Sequence, residues 1–193
     1  PDFPDYKSVP LSGSPSWDST LTQLDNFIQE IVGGNTCILV GYSMGGRIAL
    51  QYALRYKSAL EGLVLIGASP GIKDPTLKLQ RLEQDRTIAS TLPDQTIDEF
   101  LDFWLSQPIL KSQETIAEPY RSRMLERRRG QSLQSLASYL STLGTGSMPS
   151  VWAQLHQLNT PTLLVTGEHD TKFAKVAEEM LSYLPRGEHG IIG

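Results

Sequence analysis

Apolar residues recur at Leu21, Leu24, Phe27, Ile28 and Ile31, the three-and-four spacing of one helix face, behind Ser16 or Asp18 as a cap and ahead of Gly33-Gly34 as a stop. The pattern predicts a helix that starts near Trp17 and buries one face. The period then changes. Thr36 to Val40, TCILV, and Gly62 to Ile66, GLVLI, are short β-prone runs with little polar alternation, as expected of strands covered on both faces. A helical pattern over about 44–56 joins them. Strand, helix and strand linked by short connections predict a βαβ unit, hence a parallel sheet with a right-handed crossover.

From Lys73 to about Thr145 no strand-like run occurs, and helical patterns cover roughly 74–90, 95–106, 112–128 and 132–143, broken by Pro93, Pro108 and the Gly130 region. A purely helical insert in an α/β pattern predicts a cap over the sheet's carboxyl edge. The sheet pattern resumes with Pro161 to Thr166, PTLLVT, followed by a helix near 173–184 and a last strand over Glu188 to Ile192, EHGII. The expected division is a core of 1–72 with 146–193 and a helical cap of 73–145, the Pro-, Ser- and Gly-rich residues 1–16 being irregular.

At 193 residues the chain has room for one core with an insertion, not for two full domains. No run approaches the roughly 18 apolar residues of a membrane span, and no signal segment is visible, which predicts a cytoplasmic protein, or an organellar one in a plant. A net charge of −4 argues against a nucleic-acid partner, although Arg121 to Arg129 forms a local basic run. The single cysteine, Cys37, excludes an intramolecular disulfide and a cysteine-based metal site, and fits a reducing compartment. No cofactor or metal is expected, and oligomeric state is left open.

The candidate chemistry begins at Val40 to Leu50, VGYSMGGRIAL. Gly41-x-Ser43-x-Gly45, after an apolar strand and before a helix, is the pattern of a nucleophile elbow. Such a turn strains the serine backbone, and Gly41 and Gly45 are expected to remove Cβ atoms that would collide. Ser43 Oγ then projects above the sheet, and the Met44 N–H faces the same space as an oxyanion donor. The alternative is a serine that merely caps the helix.

A serine hydroxyl needs a base, and the base an orienting carboxylate. Asp170, in GEHDTKF after the third apolar strand, is the candidate acid; the alternative is a loop aspartate or helix N-cap. Three histidines compete for the base. His156 reads as a helix-face residue, and His169 abuts Asp170, where two neighbours on a turn do not face one another. His189 is the fallback, yet it falls at the start of the last strand, whereas a catalytic histidine is expected beyond that strand's end.

With these pieces in place, the sequence resembles the α/β-hydrolase superfamily and, within it, 2-succinyl-6-hydroxy-2,4-cyclohexadiene-1-carboxylate synthase of menaquinone and phylloquinone biosynthesis. The matching segments are VGYSMGGR, GASPG at 67–71, QRLEQDR at 80–86, FWLSQP at 103–108, the arginines 127–129 followed by LGTGSMPSVW at 143–152, and GEHDTKF at 167–173. The resemblance implies a mostly parallel α/β sheet with an inserted helical cap, and a lyase that eliminates pyruvate from a succinyl-bearing cyclohexene dicarboxylate. Proton abstraction by a serine–histidine system begins that reaction without an acyl-enzyme. It implies substrate contacts for Tyr42, Arg47, Arg81, Trp104 and Arg128, guanidinium forks suiting a polycarboxylate. A solvated helix face is the alternative for Arg81 and Arg128. The neighbour of Trp104, often tyrosine in the family, is Leu105. The family's N-terminal strands and His-Gly oxyanion loop find only a loose echo in DFPDYKS at 2–8, and its histidine-bearing C-terminal segment has no counterpart, so an incomplete hydrolase core is expected. The competing functions are an esterase, thioesterase or C–C hydrolase on the same fold, and a silent protein that binds a small acidic ligand.

Overall fold

The computed structural model describes residues 15–57 and 59–193, so the DFPDYKS segment lies outside the described residues. The chain divides into two compact units, one of Ser16–Leu82 with Leu143–Gly193, the other built on Glu83–Thr142.

The first unit is organised by a four-stranded, wholly parallel sheet in the order β1 (Cys37–Tyr42), β2 (Leu60–Ile66), β3 (Thr162–Gly167), β4 (Gly187–Ile192). Helix α1 (Trp17–Val32) starts at a reciprocal Ser16–Ser19 capping box and stops at Gly33, whose φ of 59° places it in the left-handed region. It buries Leu21, Leu24 and Ile28, while Phe27 and Ile31 remain exposed. Helix α2 (Met44–Arg55) packs against β1 and β2, and α7 (Thr171–Leu181) against β3 and β4. The buried Tyr52 hydroxyl donates to Asp25 Oδ1 at 2.9 Å, tying α2 to α1, and burial followed by this carboxylate pushes its pKa up.

Register sorts the sheet residues onto two faces. Leu63, Leu65, Thr162, Leu164 and Thr166 share one, each 4% exposed or less. On the other face Ile38 and Val40 are 59% exposed and Tyr42 62%. The expectation that the first strand is covered on both sides is therefore corrected: its residues are apolar in both directions, but among the described residues the helices cover one face only.

The second unit is helical. It contains the C-terminal part of α3 (Pro75–Thr91), α4 (Ile97–Leu105), α5 (Tyr120–Arg129) and most of α6 (Leu133–Leu143). Its core is Ala89, Leu92, Phe100, Leu101 and Ala137. Thr96 and Glu99 form the capping box of α4, and the Thr96 backbone amide and hydroxyl hold the Glu99 carboxyl below its usual range. The helix expected over 112–128 is instead a 3₁₀ stretch, Pro108–Thr115, followed by α5. Pro119 explains the break, because a proline lacks the N–H a helix interior needs and turns the preceding residue away from helical geometry. No helix of the described residues is long and apolar enough to cross a membrane.

Candidate active site

One residue, Ser43, separates the end of β1 from the start of α2, and its φ of 51° and ψ of −112° make it the only non-glycine of positive φ among the described residues. Such a conformation costs on the order of 1–3 kcal/mol and persists only where the surroundings over-determine it. They do so here. The Ser43 N–H donates to Ile66 O at 2.8 Å on β2, and Ser43 O accepts from Arg47 N at 3.1 Å. A Cβ on Gly41 would lie 2.5 Å from Gly45 O and 2.6 Å from Gly46 Cα, so only glycine lets strand and helix approach this closely.

The second close approach is not at Gly45, as the motif suggests. A Cβ there meets nothing within 4 Å, whereas on Gly46 it would sit 2.6 Å from Ala68 Cβ. The packing glycine is thus the one after the motif, set by the loop that follows β2. Ser43 occupies the N-cap position of α2 yet makes no side-chain capping bond, and it is exposed. The helix-capping reading fails on that observation: the hydroxyl is presented, not consumed. The adjoining Met44 N–H is the first of the unpaired amides at the positive end of α2.

Asp170 is the N-cap of α7, with Oδ1 accepting from Phe173 N at 3.1 Å. Ser43 and Asp170 therefore both stand at the sheet's carboxyl edge, on crossings that leave β1 and β3, about 10 Å apart by strand spacing. His189 is the third residue of β4, and its Nε2 lies 2.8 Å from Thr166 Oγ1. Register runs Gly41, Leu65, Leu164, His189 across the sheet, leaving three strand spacings, roughly 14 Å, between the backbones of β1 and β4. His169 is 94% exposed with Nε2 at 3.2 Å from Glu168 Oε1, and His156 is exposed on a 3₁₀ turn, Trp152–Gln157. Among the described residues none of the three is hydrogen-bonded to Ser43.

Arg47, one turn into α2, is half-buried and donates from Nη1 to Leu143 O at 3.2 Å, so its fork is partly engaged by the protein. Arg81 is half-buried on α3, where a Cβ on Gly146 would lie 2.8 Å from its carbonyl carbon. Tyr42 stands on the exposed sheet face beside the elbow, near Gly67, a turn glycine with φ of 54°. In the helical unit, Trp104 stacks on Phe100 at 5.5 Å and packs on that unit's core. Arg128 donates from Nη2 to Gln113 Oε1 at 2.9 Å. Burial, then the Glu61 carboxylate, pushes the Cys37 thiol up, away from nucleophilic use.

A family model described as serine aminopeptidase, S33, matches residues 7–183. The chain belongs to this family of α/β-hydrolases. A Bacillus subtilis (strain 168) protein with a provisional name of 2-succinyl-6-hydroxy-2,4-cyclohexadiene-1-carboxylate synthase is 34% identical to this chain over 154 residues, 80% of the chain and 56% of the relative. The synthase of that name from Enterobacter sp. (strain 638) is 30% identical over 142 residues, 74% of the chain and 54% of the relative. The solved structure of MenH from S. aureus superposes with a TM-score of 0.90 at 32% identity, covering 96% of the chain and 70% of that structure. The chain thus spans little more than half the length of these two curated relatives.

Proposed function

We propose that Ser43 is the reacting hydroxyl of a cytoplasmic lyase that eliminates pyruvate from a succinyl-substituted cyclohexene dicarboxylate, a step of menaquinone or phylloquinone biosynthesis. The observation that carries the reading is a strained, exposed serine whose hydroxyl makes no helix cap, in a chain about a third identical to proteins named for that synthase. The base withdraws a C–H proton through the Ser43 hydroxyl, the freed electron pair forms a C=C bond, the C–O bond to the pyruvyl group breaks, and the leaving group takes up a proton as pyruvate. Negative charge on the substrate oxygen is met by the Met44 N–H at the helix end. Asp170 orients the base, and Tyr42, Arg47 and Arg81 hold ring and carboxylates. Trp104 and Arg128 are candidates for the same task in the helical unit.

The base itself we assign to none of His156, His169 and His189. A proton-transfer partner must lie within about 3.2 Å of Ser43 Oγ; the reading is supported by the place of His189 on β4, three strands from β1, with Nε2 bonded to Thr166 Oγ1. The competing reading is acyl transfer by the same serine, favoured by the peptidase description of the family model. Parallel assays of pyruvate release from the cyclohexene substrate and of hydrolysis of a neutral ester separate them. Pyruvate release as the faster reaction by at least about 100-fold in kcat/KM supports the lyase, and the reverse order establishes the hydrolase.

A further inference from the structure

Two segments of the first unit supply no group to the chemistry at Ser43, yet the elbow rests on them. Loop 67–71, which leaves β2, makes the close approach: its Ala68 Cβ is what a Cβ on Gly46 would meet at 2.6 Å. At the root of this loop Ile66 O accepts the Ser43 N–H at 2.8 Å. The far end of the loop is held by segment 149–152. The Val151 N–H donates to Pro70 O at 2.8 Å, and the Trp152 indole Nε1–H donates to Gly71 O at 2.8 Å. Gly71 has a φ of 97°, and a Cβ on it would lie 3.0 Å from Ser150 Cα, so the two backbones touch. Segment 149–152 also returns to the elbow helix, because Gln51 Nε2 on α2 donates to Pro149 O at 2.8 Å. The circuit of α2, loop 67–71 and segment 149–152 is therefore closed.

Trp152 is 8% exposed, and its ring is fixed from two further sides. Lys73 Nζ lies 3.9 Å from the ring centroid while it pairs with Glu179, and Tyr183 meets the ring edge-on at 5.8 Å. A ring so held presents its N–H at a set point, and the carbonyl of the buried Gly71 depends on it. We propose that Trp152 is a positioning residue for Ser43: it touches no reacting atom, but its indole N–H pins loop 67–71 and so holds the strained turn in place. Packed backbone transmits the constraint, since neither Gly46 nor Gly71 leaves room for the loop to shift toward its neighbour. The proposal rests on the reading of Ser43 as the reacting hydroxyl.

The test compares two variants of the whole protein. Trp152→Phe keeps an aromatic ring for Lys73 and Tyr183 and removes the donor, whereas Lys73→Met removes the cation and keeps the donor. Trp152→Phe should lower kcat for pyruvate release roughly tenfold with KM within about twofold, as expected of a misplaced reacting group. It should also speed hydrogen exchange of the Ser43 amide roughly tenfold relative to the Leu24 and Ile28 amides on α1. Lys73→Met should leave kcat and the Ser43 exchange rate within about twofold, an exposed cation being a weak constraint. Exchange that rises equally at Ser43 and on α1 makes Trp152 a general packing residue and overturns the proposal. So does an unchanged kcat or an unchanged Ser43 exchange rate in Trp152→Phe, or an equal loss of kcat in Lys73→Met. Normal turnover in Ser43→Ala rejects the reading of Ser43 separately, and the exchange comparison then still decides whether Trp152 holds the turn.

Discussion

The crossing from β1 to α2 and the crossing from β3 to α7 do the same topological job by opposite means. Each carries a parallel strand into a helix at the carboxyl edge of the sheet, and each puts a candidate catalytic side chain at the helix N-cap. The first does so in one residue, at a φ of 51°, and leaves the cap unmade. The second uses three residues, keeps Asp170 at an ordinary φ of −88°, and spends its carboxylate on Phe173 N. A cap is worth about 1 kcal/mol and strain costs at least as much. The chain forgoes the first and accepts the second only where a hydroxyl is presented. At Asp170, by contrast, a structural role accompanies any catalytic one, and assays must separate them.

The sharpest way to break this contrast is at Gly41. Gly41→Ala should destabilise the protein by about 2–4 kcal/mol in chemical denaturation, because the new methyl meets backbone atoms that have nowhere to go. A loss under about 0.5 kcal/mol would show that the elbow is not over-determined. Next comes Asp170. Asp170→Ala should cost about 1 kcal/mol of stability through the lost cap, whereas Asp170→Asn retains it. Turnover should nevertheless fall by at least about 100-fold in both, if the carboxylate orients an imidazole. Full activity in the asparagine variant would reduce Asp170 to a cap. The smallest effect is expected at Gly45, where Gly45→Ala should be neutral or stabilising by up to about 1 kcal/mol, since its Cβ meets nothing and alanine favours the helix. Measured destabilisation there would restore the motif's second glycine to a packing role.

The same contrast marks how far the sequence could be read. The elbow was legible because it is local: an apolar run, a glycine-flanked serine and a helical period within eleven residues. The position of His189 inside the last strand was legible for the same reason. Gly46 was not, because its constraint is Ala68, on another loop. The break at Pro119 was visible in principle but was masked by helix-favouring residues on both sides. The half-covered sheet was hidden because apolar residues on both faces of β1 promise cover that the described elements supply to one face. The arginines were the least legible, since motif position says nothing of protein partners: Arg47 finds Leu143 O at a separation of 96 residues, and Arg128 finds Gln113 at 15.

In the proposed function Ser43 reacts, and His189 is a strand residue bonded to Thr166, not its base. The most direct measurement is pyruvate release by the whole protein in two variants, Ser43→Ala and His189→Ala. Ser43→Ala should lower kcat by about 10³-fold or more, with substrate binding nearly intact. His189→Ala should lose about 1 kcal/mol of stability with its Thr166 bond and keep kcat within roughly threefold. Near-normal turnover in Ser43→Ala, or a loss in His189→Ala as large as that expected for the serine, would contradict it.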